Sequence, residues 1–476
     1  MADERFEEHL RHPQGRDAIP DGAHIGTAGG SLCGDLVRVG VVLDGDRITA
    51  AGFSADGCGA LTAAASAAVE LVEGTPLLDA ARVGSPDIAG ALGGLSAGKL
   101  HAADLVSDAL HQALGAAARA GAAFSASADR VLVARSGGVD SAVAALLCAR
   151  QPGAEVCAVT LELWRDPEND AEASCCSASA VRLARSLAHR MGLPHLTIDL
   201  RDEFRAGVIE PYLADHAAGL TPNPCVRCNG HVRLDAMVEL ADRLGAQHLA
   251  TGHYARVEDG LLALAADPAK DQTYMLSALA PATIARLRFP LGDLTKPEVR
   301  ALAEEAELPV ARAPESQDLC FLAGTGKARF LERHGHLRDR DGMIVDRAGR
   351  ELGRHRGHQH YTVGQRKGLG LSLPDADGRP EPLFVLATDA GANTVTVGPR
   401  AELRTQRVAL RGVRLHRPAA EVDAVKLRYR QRPLAATLEG DEVVLGEPVD
   451  AAAPGQAAML LRGDAIVGSG WVAACR

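Results

Sequence analysis

The chain has 476 residues, a formal net charge of −10 and ten cysteines, and 47% of its residues are hydrophobic. A chain of this length is too long to fold around one compact core, and its composition excludes a largely disordered protein. The charged N-terminus and the lack of any run of about 18 apolar residues argue against an export signal and a membrane span. We therefore expect a cytoplasmic multidomain protein with reduced cysteines and no membrane partner.

The charge is distributed unevenly along the chain. Residues 1–125 contain 8 Lys and Arg against 16 Asp and Glu, whereas residues 327–367 contain 11 against 5. A basic stretch in an acidic chain is typical of an enzyme that holds a polyanion on one face, although a solvated charged surface gives the same pattern. The overall charge argues against a nonspecific nucleic-acid coat, and we expect no DNA partner.

The first predicted domain, at 1–125, is small and of the α+β class. Residues 36–57 alternate like two strands joined at Asp44-Gly45, which is a hairpin signal. Alanine-rich amphipathic helices are predicted at 61–73 and 102–120. The stretch AGAAFSASA at 120–128 predicts a linker.

The second predicted domain, at 126–334, alternates short buried strands with helices. This pattern predicts right-handed βαβ units and a parallel sheet. Strands are expected at 131–134, 155–163, 195–200 and 247–251, and helices at 142–150, 178–192 and 234–246. After about residue 335, short strands separated by Gly, Pro and Asp predict a small central β domain at 335–402 and a C-terminal β-barrel at 403–476.

The motif SGGVDS joins a predicted strand to a predicted helix. Its residues are Ser136, Gly137, Gly138, Val139, Asp140 and Ser141. The glycines let the backbone approach an anion, the helix N-terminus offers N–H groups, and the aspartate is suited to hold Mg²⁺. Because the chain lacks G-x-x-x-x-G-K-[ST], this is not a γ-phosphate-transferring P-loop. We predict an ATP-binding turn that activates a substrate by adenylation.

A cysteine pair follows two prolines in TPNPCVRCN, at 221–229. Cys225 and Cys228 are predicted to lie on a rigid turn that opens a helix, where the helix dipole favours thiolates. This spacing lets two sulfurs converge on a metal, a cluster or a dithiol pair. By contrast, Cys175 and Cys176 are predicted to be exposed loop thiols.

These motifs carry two resemblances. SGGVDS resembles the PP-loop of N-type ATP pyrophosphatases, which implies an adenine nucleotide α-hydrolase-like domain. From Arg130 to the C-terminus the chain resembles the bacterial tRNA-specific 2-thiouridylase (MnmA) family. That resemblance rests on TPNP-x-x-x-CN and on ATGHYARV (250–257), KDQTYML (270–276), FPLGDLTKPEVR (289–300), ESQDLCFL (315–322), YTVGQRKGLGL (361–371), KLRYRQ (426–431) and PGQ (454–456). It implies that sulfur replaces the 2-oxygen of wobble uridine 34 of tRNA in a reaction driven by ATP. The sulfur would come from a cysteine desulfurase or a sulfur-relay protein.

The same resemblance implies roles for individual residues. Leu161 and Gly252 would line the ATP site, Cys228 would be the nucleophile, and Cys320 would bear the persulfide. Contacts with tRNA are implied for Asn223, Pro224, Cys225, His253, Lys270, Asp271, Gln272, Arg428, Tyr429 and Gln456. Packing roles are the alternative for His253 and Tyr429.

The sulfur chemistry has two possible routes. Many members of the family carry Asp at the position of Cys225. Here Cys225, Cys228 and Cys320 are also a sufficient set to hold a [4Fe–4S] cluster with one iron open for sulfide. The persulfide route and the cluster route both remain open from the sequence.

The N-terminal domain contains a second candidate site. Cys33, Asp35, Cys58 and His101 lie in GGSLCGD, DGCGA and KLHAAD, and they suffice to bind Zn²⁺ or an iron–sulfur cluster. Residues 9–118 resemble the iron–sulfur scaffold domain of the IscU/NifU type. That family has a third cysteine where this chain has Ala102, so a docking domain without metal is the alternative.

Two other functions account for part of the chain. A synthetase that adenylates a small metabolite would leave the Cys-x-x-Cys loop and the basic β domains unexplained. A non-enzymatic iron–sulfur carrier would leave SGGVDS unexplained. We therefore expect a scaffold-like domain fused to a tRNA 2-thiouridylase.

Overall fold

The computed structural model describes residues 2–29, 34–166, 177–313, 319–374 and 380–473. The chain divides into two compact units. The first comprises Met1–Arg201, Ala236–His253 and Arg286–Phe321, and the second comprises Asp202–Asp235, Tyr254–Ala285 and Leu322–Arg476. Residues of the predicted 126–334 domain therefore occur in both units. None of the helices in the described ranges has the length and apolar character needed to cross a bilayer.

The N-terminal part of the first unit is an antiparallel sheet covered by helices. The strands are β1 (His24–Gly29), β2 (Leu36–Asp44) and β3 (Arg47–Asp56), and the helices are α1 (Ala2–Arg11), α2 (Gly59–Val72), α3 (Leu77–Ala80), α4 (Ser85–Ala91) and α5 (Leu100–Ala120). The predicted hairpin is confirmed, because β2 and β3 pair antiparallel around Gly45, whose φ is +65°. Both predicted helices, in α2 and α5, are confirmed as well.

Strand β1 was not predicted from the sequence, and the packing of this strand explains why. Helix α5 lies against β1 and β2. A Cβ added at Gly26 of β1 would lie 1.9 Å from the backbone oxygen of Ala109 in α5. A glycine is therefore required inside this strand, although glycine weakens the strand signal in a sequence.

The predicted parallel sheet is confirmed in the rest of the first unit. Its strands are β4 (Ser127–Arg135), β5 (Glu155–Glu162), β6 (His195–Asp199), β7 (Ala246–Ala250) and the short β10 (Leu287–Arg288). They pair in the order β10-β7-β4-β5-β6, all parallel. Helices α6 (Val139–Ala149), α7 (Ala178–Arg190) and α14 (Lys296–Glu305) belong to this part, together with most of α11 (Leu234–Arg243).

The predicted linker at 120–128 is shorter than expected. Strand β4 already begins at Ser127, whose N–H donates to the backbone oxygen of Gly245 at 2.9 Å. The N–H of Phe124 donates to the backbone oxygen of Arg243 at 3.1 Å. This segment is therefore hydrogen-bonded to the parallel-sheet domain.

The remaining elements lie mostly in the second unit. The helices are α8 (Arg201–Phe204), α9 (Glu210–Ala217), α10 (Pro224–Cys228), α12 (Thr273–Leu276), α13 (Pro281–Arg286) and α15 (Lys327–Gly335). Strands β11 (Gly342–Val345), β12 (Glu351–His355), β13 (Ser372–Pro374), β14 (Pro380–Asp389) and β15 (Thr394–Pro399) form a sheet in the order β12-β11-β15-β14-β13.

The predicted C-terminal barrel is confirmed. Its strands are β16 (Arg404–Leu415), β17 (Ala424–Lys426), β18 (Leu434–Glu439), β19 (Glu442–Asp450), β20 (Ala457–Arg462) and β21 (Ala465–Val472). They pair in the order β16-β19-β18-β17-β20-β21, and β16 also pairs with β21, which closes the barrel. An unpredicted hairpin, β8 (Arg256–Glu258) and β9 (Leu261–Ala263), extends this sheet beside β21.

One charged side chain is buried in the parallel sheet. Arg135 ends β4 and is 2% exposed. In the described part of the chain its Nε and Nη2 have no hydrogen-bond partner, while its Nη1 donates to the backbone oxygen of Ser141 at 3.4 Å. Burial lowers the pKa of this guanidinium to about 10. An arginine stays charged at that pKa, so this buried cation lacks a compensating charge among the described residues, which is costly.

We predict that Arg135→Met stabilises the ligand-free protein. Replacing a buried charged group by an apolar one of similar length should raise the free energy of unfolding by about 1–4 kcal/mol. The measurement is the urea and thermal unfolding midpoint of the full chain. The control is Arg150→Met, because Arg150 is exposed and its pair with Glu305 is 3.6 Å long. A lower midpoint for Arg135→Met than for wild type would show that the charge stabilises the fold.

Candidate functional site

The SGGVDS motif forms a closed turn between β4 and α6. Gly137 has φ +76°, and a Cβ added there would lie 3.1 Å from the backbone oxygen of Ala180. The hydroxyl of Ser141 accepts from the N–H of Ser136 at 3.1 Å and donates to the backbone oxygen of Gly138 at 3.0 Å. Gly138 is the N-cap residue of α6. The turn therefore places the N–H groups of the first turn of α6, which have no partners within the helix, at the end of β4.

The loop after β7 lies directly against this turn. A Cβ added at Gly252 would lie 2.7 Å from the N atom of Ser141 and 2.8 Å from the carbonyl carbon of Asp140. The backbone of Gly252 therefore lies so close to the backbone of Asp140 and Ser141 that no side chain fits at position 252. The resemblance implied Gly252 as an ATP-site residue, and the structure places it against the SGGVDS turn, which is the predicted phosphate turn.

Leu161 lies at the same edge of the sheet. In the parallel register Arg135 pairs with Thr160 on β5, so Leu161 extends one residue beyond the end of β4. Its side chain is 6% exposed and packs in the core of the domain. The carboxyl ends of parallel strands commonly bind ligands, and Leu161 lies where that rule predicts.

A lysine pairs with the aspartate of the turn. Lys296 Nζ donates to Asp140 Oδ1 at 2.6 Å, and the two side chains are 9% and 32% exposed. Lys296 is the first residue of α14, whose start is fixed by a capping box between Thr295 and Glu298. Lys296 lies within the FPLGDLTKPEVR motif, and no role was predicted for it from the sequence. The long cationic side chain of Lys296 therefore reaches the acidic residue of the turn from α14.

The Cys-x-x-Cys loop opens a helix, as predicted. Asn223 is the N-cap of α10, and its side chain accepts from the N–H of Val226 at 3.3 Å. Pro224 occupies the first helical position, which suits proline. Cys225 and Cys228 are both half-buried in α10, which continues through a π-helical turn at Asn229–Arg233.

The loop is held by residues distant in sequence. Gln456 Nε2 donates to the backbone oxygen of Thr221 at 2.7 Å, and the N–H of Thr221 donates to the backbone oxygen of Pro454 at 2.8 Å. A Cβ added at Gly455 would lie 3.1 Å from Leu220 Cβ, and Gly455 has φ +91°. The PGQ motif therefore fixes the backbone that leads into the cysteine pair.

A tyrosine pair joins two further motifs, KDQTYML and KLRYRQ, to this loop. The hydroxyl of Tyr274 donates to the backbone oxygen of Ala457 at 2.8 Å, and burial raises its pKa. The ring of Tyr429 lies 6.3 Å from that of Tyr274. Burial also raises the pKa of Tyr429, and Asp271, Lys270 and Cys225 are close enough to act on it electrostatically. The structure thus gathers these predicted tRNA-contact residues around Tyr429.

Three further predicted tRNA-contact residues have partners within the protein. Asp271 is 8% exposed, accepts from Thr273 Oγ1 at 2.8 Å, and pairs with the buried Lys426 at 3.2 Å. This geometry favours a structural role for Asp271. Gln272 accepts from the N–H of Tyr254 at 3.0 Å, whereas Arg428 is exposed and donates to the backbone oxygen of Ala451 at 2.9 Å.

Two further predicted site residues, His253 and Cys320, belong to the first unit. His253 is in the first unit, next to Gly252, and its Nδ1 lies 2.9 Å from Thr251 Oγ1. Cys320 is half-buried and also belongs to the first unit. Cys33, Cys175 and Cys176 lie outside the described residues.

The N-terminal domain brings three potential ligands together. Atoms of Asp35, Cys58 and His101 lie within 4.8 Å of one another. Asp35 is 2% exposed, and its Oδ2 lies 3.5 Å from Cys58 Sγ and 3.2 Å from His101 Nε2. A Cβ added at Gly57 would lie 2.3 Å from Asp35 Oδ1, so glycine leaves the room that the carboxylate occupies. Ala102 is fully buried in α5, and its side chain packs in the domain core.

Comparison with protein families divides the chain into four matched regions. Residues 2–120 match the NifU-like N terminal domain, and residues 129–324 match the tRNA methyl transferase HUP domain. Residues 328–399 match the tRNA methyl transferase PRC-barrel domain, and residues 409–472 match the aminomethyltransferase beta-barrel domain.

Comparison with curated proteins gives relatives of two lengths. The tRNA-specific 2-thiouridylases MnmA of Geobacter metallireducens and Thermus thermophilus are 41% and 43% identical. They cover 72% and 71% of this chain, which in turn covers 96% and 93% of their length. The bifunctional protein NifU/MnmA of Rubrobacter xylanophilus is 44% identical over 98% of both chains. From its N-terminal domain to its C-terminal barrel, this chain belongs to the family of bifunctional NifU/MnmA proteins.

Proposed function

We propose that this protein is a tRNA-uridine 2-sulfurtransferase, which uses ATP to replace the 2-oxygen of uridine 34 by sulfur. The end-to-end likeness to a bifunctional NifU/MnmA protein is the observation that carries this proposal. The closed phosphate turn and the fixed Cys-x-x-Cys loop support it, because the proposed reaction needs both an activating nucleotide and a sulfur-handling thiol. Two family models are named after methyl transfer, whereas the relatives named above are 2-thiouridylases.

The first step converts the 2-oxygen of the uridine, which is a poor leaving group, into part of AMP, which is a good one. The 2-oxygen of the uridine attacks the α-phosphorus of ATP, and pyrophosphate leaves. The N–H groups at the start of α6 bind phosphate oxygens, and a side chain at position 252 would collide with the backbone that carries them. Mg²⁺ held by Asp140 would neutralise charge on the departing pyrophosphate. Lys296 Nζ, now 2.6 Å from Asp140, is placed to move onto the phosphates as the aspartate binds the ion.

The buried Arg135 has a role in the same step. Its guanidinium lies beneath the turn, bonded to the backbone oxygen of Ser141, and no carboxylate among the described residues pairs with it. The negative charge of bound ATP supplies the missing compensation. The variant Arg135→Met, which should stabilise the ligand-free protein, should therefore bind ATP more weakly.

The second step transfers sulfur to the activated carbon. In the persulfide route, the outer sulfur of a persulfide on Cys320 attacks C2, and AMP leaves. Cys228 then attacks the Cys320 sulfur, releasing 2-thiouridine and leaving a disulfide. In the cluster route, Cys225, Cys228 and Cys320 would hold a [4Fe–4S] cluster whose open iron presents sulfide. We propose the sulfur donor to be a cysteine desulfurase or a relay protein.

The N-terminal domain is proposed to hold a metal ion or cluster through Asp35, Cys58 and His101, with Cys33 as a further ligand. One carboxylate, one thiolate and one imidazole are ordinary zinc ligands, and their atoms already converge. Zinc or a cluster bound there would hold the domain's thiolates in their deprotonated form.

Asp140→Asn should lower ATP-dependent pyrophosphate release by about 100-fold. The variant removes a carboxylate at the phosphate turn, and losing about 3 kcal/mol of transition-state stabilisation gives that factor. Release is measured in the presence of unmodified tRNA. Asp129→Asn is the control, because Asp129 is exposed on β4 of the same sheet. Wild-type release by Asp140→Asn would contradict the assigned site.

Cys228→Ala and Cys320→Ala should each reduce 2-thiouridine formation below about a tenth of wild type, because both routes need these thiols. The readout is 2-thiouridine in tRNA nucleosides by mass spectrometry, with ATP and tRNA binding measured in parallel. Cys475→Ala is the control. Failure of the wild-type protein to form 2-thiouridine with ATP and tRNA, both with sulfide and with a cysteine desulfurase plus cysteine as the sulfur source, would refute the proposed function.

Cys225→Asp separates the two routes within the same assay. Aspartate at this position keeps the persulfide route open but removes one of the three cluster thiolates. Full activity without bound iron would favour the persulfide route. Loss of activity together with loss of iron and sulfide, measured anaerobically, would favour the cluster.

Asp35→Asn and Cys58→Ala should each lower the metal content of the purified full chain by about tenfold or more, since each removes a ligand. Zinc and iron are counted by plasma mass spectrometry. Asp79→Asn is the matched control, since Asp79 is exposed in the same domain. Equal metal in all four proteins would contradict the assigned ligands, and no metal in any would mean that the domain is a docking domain.

A further inference from the structure

The parallel sheet has an edge strand whose unpaired backbone must be shielded by another part of the protein. Among the described strands, β6 lies at the edge of the order β10-β7-β4-β5-β6. Its backbone on that side has no strand partner, and uncovered strand edges promote pairing with other chains. The buried side chains of β6, such as Leu196 and Ile198, make such an exposed edge especially prone to association.

One face of α5 covers this edge. Three α5 residues spaced four apart contact alternate backbone oxygens of β6, which matches the helical period to the strand period. His111 Nδ1 lies 2.8 Å from the oxygen of His195, and Arg119 Nη1 donates to the oxygen of Asp199 at 2.9 Å. Between them, Gly115 packs so closely that an added Cβ would lie 1.8 Å from the oxygen of Thr197.

An ion pair extends the contact to α7. Asp108, one turn before His111 on α5, pairs with Arg182 at 2.6 Å and with Arg185 at 2.5 Å. The side chains of Asp108 and Arg185 are 13% and 5% exposed. Both charges are therefore largely removed from water, and separating the two surfaces would leave each of them without its partner until it is rehydrated.

The segment between α3 and α4 contributes a third contact. The N–H of His195 donates to the backbone oxygen of Ala81 at 2.9 Å, and His189 Nε2 lies 3.0 Å from the same oxygen. Arg82 donates to the backbone oxygen of Gly192. The backbone of the N-terminal domain thus completes the hydrogen bonding of the first residue of β6.

We propose that the N-terminal domain is a permanently docked cover of this sheet edge, and not a tethered carrier that leaves during each reaction cycle. Four kinds of contact converge on one surface: a close helix-strand approach, hydrogen bonds to edge carbonyls, a largely buried ion pair and backbone pairing at Ala81. The Asp35, Cys58 and His101 cluster consequently keeps a fixed position within the first unit. Because the two domains are fused, one N-terminal domain is present for each parallel sheet that it covers.

The test cuts the chain without removing either part. A protease site is inserted between Ser125 and Ala126, which are both exposed, and the purified full-length protein is then cleaved. We expect the two fragments to co-elute from a size-exclusion column at about 1 μM, because contacts of this kind support dissociation constants well below that concentration. Separation of the cut wild-type fragments at this concentration would overturn the proposal.

Gly115→Leu tests the surface itself. The new side chain must displace the oxygen of Thr197, so the fragments should separate after cleavage and the released larger fragment should self-associate. Ala120→Leu, at an exposed position of the same helix, should co-elute like the wild type. Unchanged co-elution of cleaved Gly115→Leu would show that this face is not the docking surface.

A second variant covers the case in which Gly115→Leu does not fold. Asp108→Ala leaves the packing of α5 intact and should raise the fragments' dissociation constant by about 100-fold, because Arg185 stays buried without its carboxylate. An unchanged dissociation constant would contradict the proposal. These measurements follow association and not thiolation, so their failure is distinct from a failure of the proposed function.

Discussion

The phosphate turn depends on a contact between two stretches of backbone. Gly252 lies against Asp140 and Ser141 at a distance that leaves no room for a side chain. The contact is possible because parallel strands bring their carboxyl ends to one edge, where the loop after β7 meets the loop after β4. Leu161, at the end of β5, and Lys296, at the start of α14, complete this region. The sheet places Gly252 and Leu161, and the capping box at Thr295 places Lys296.

Electrostatics around the turn follow from the same arrangement. Arg135 lies beneath the turn because it is the last residue of β4, in register with Thr160 on β5. Burial of a charged group is costly, and in the proposed function a polyphosphate ligand would relieve that cost. The proposal thus couples stability and nucleotide affinity through one side chain, an arrangement typical of sites that are pre-organised for a charged ligand.

Much of the fold followed from sequence patterns, and the exceptions have physical causes. The strand-helix alternation predicted the parallel sheet, and the turn at Gly45 predicted a hairpin, since both signals are local. Strand β1 was not predicted, because Gly26 is required by contact with α5 and not by any strand preference. The β8–β9 hairpin was not predicted either, because it pairs with β21 some two hundred residues later in the chain. At the site, the motif SGGVDS identified the turn, but the burial of Arg135 and the partner of Asp140 depend on tertiary packing.

The bracing of the cysteine loop has a consequence for biosynthesis. Thr221 is held by Gln456, and Tyr274 by the backbone of Ala457, so the loop depends on residues that a ribosome adds near the end of translation. The cysteines emerge long before those residues do. While the chain is nascent, its thiols lie on an unbraced segment, and the geometry that orients them arises only when the barrel closes. A prematurely terminated polypeptide would retain the SGGVDS turn but lack the contacts that position its cysteine loop.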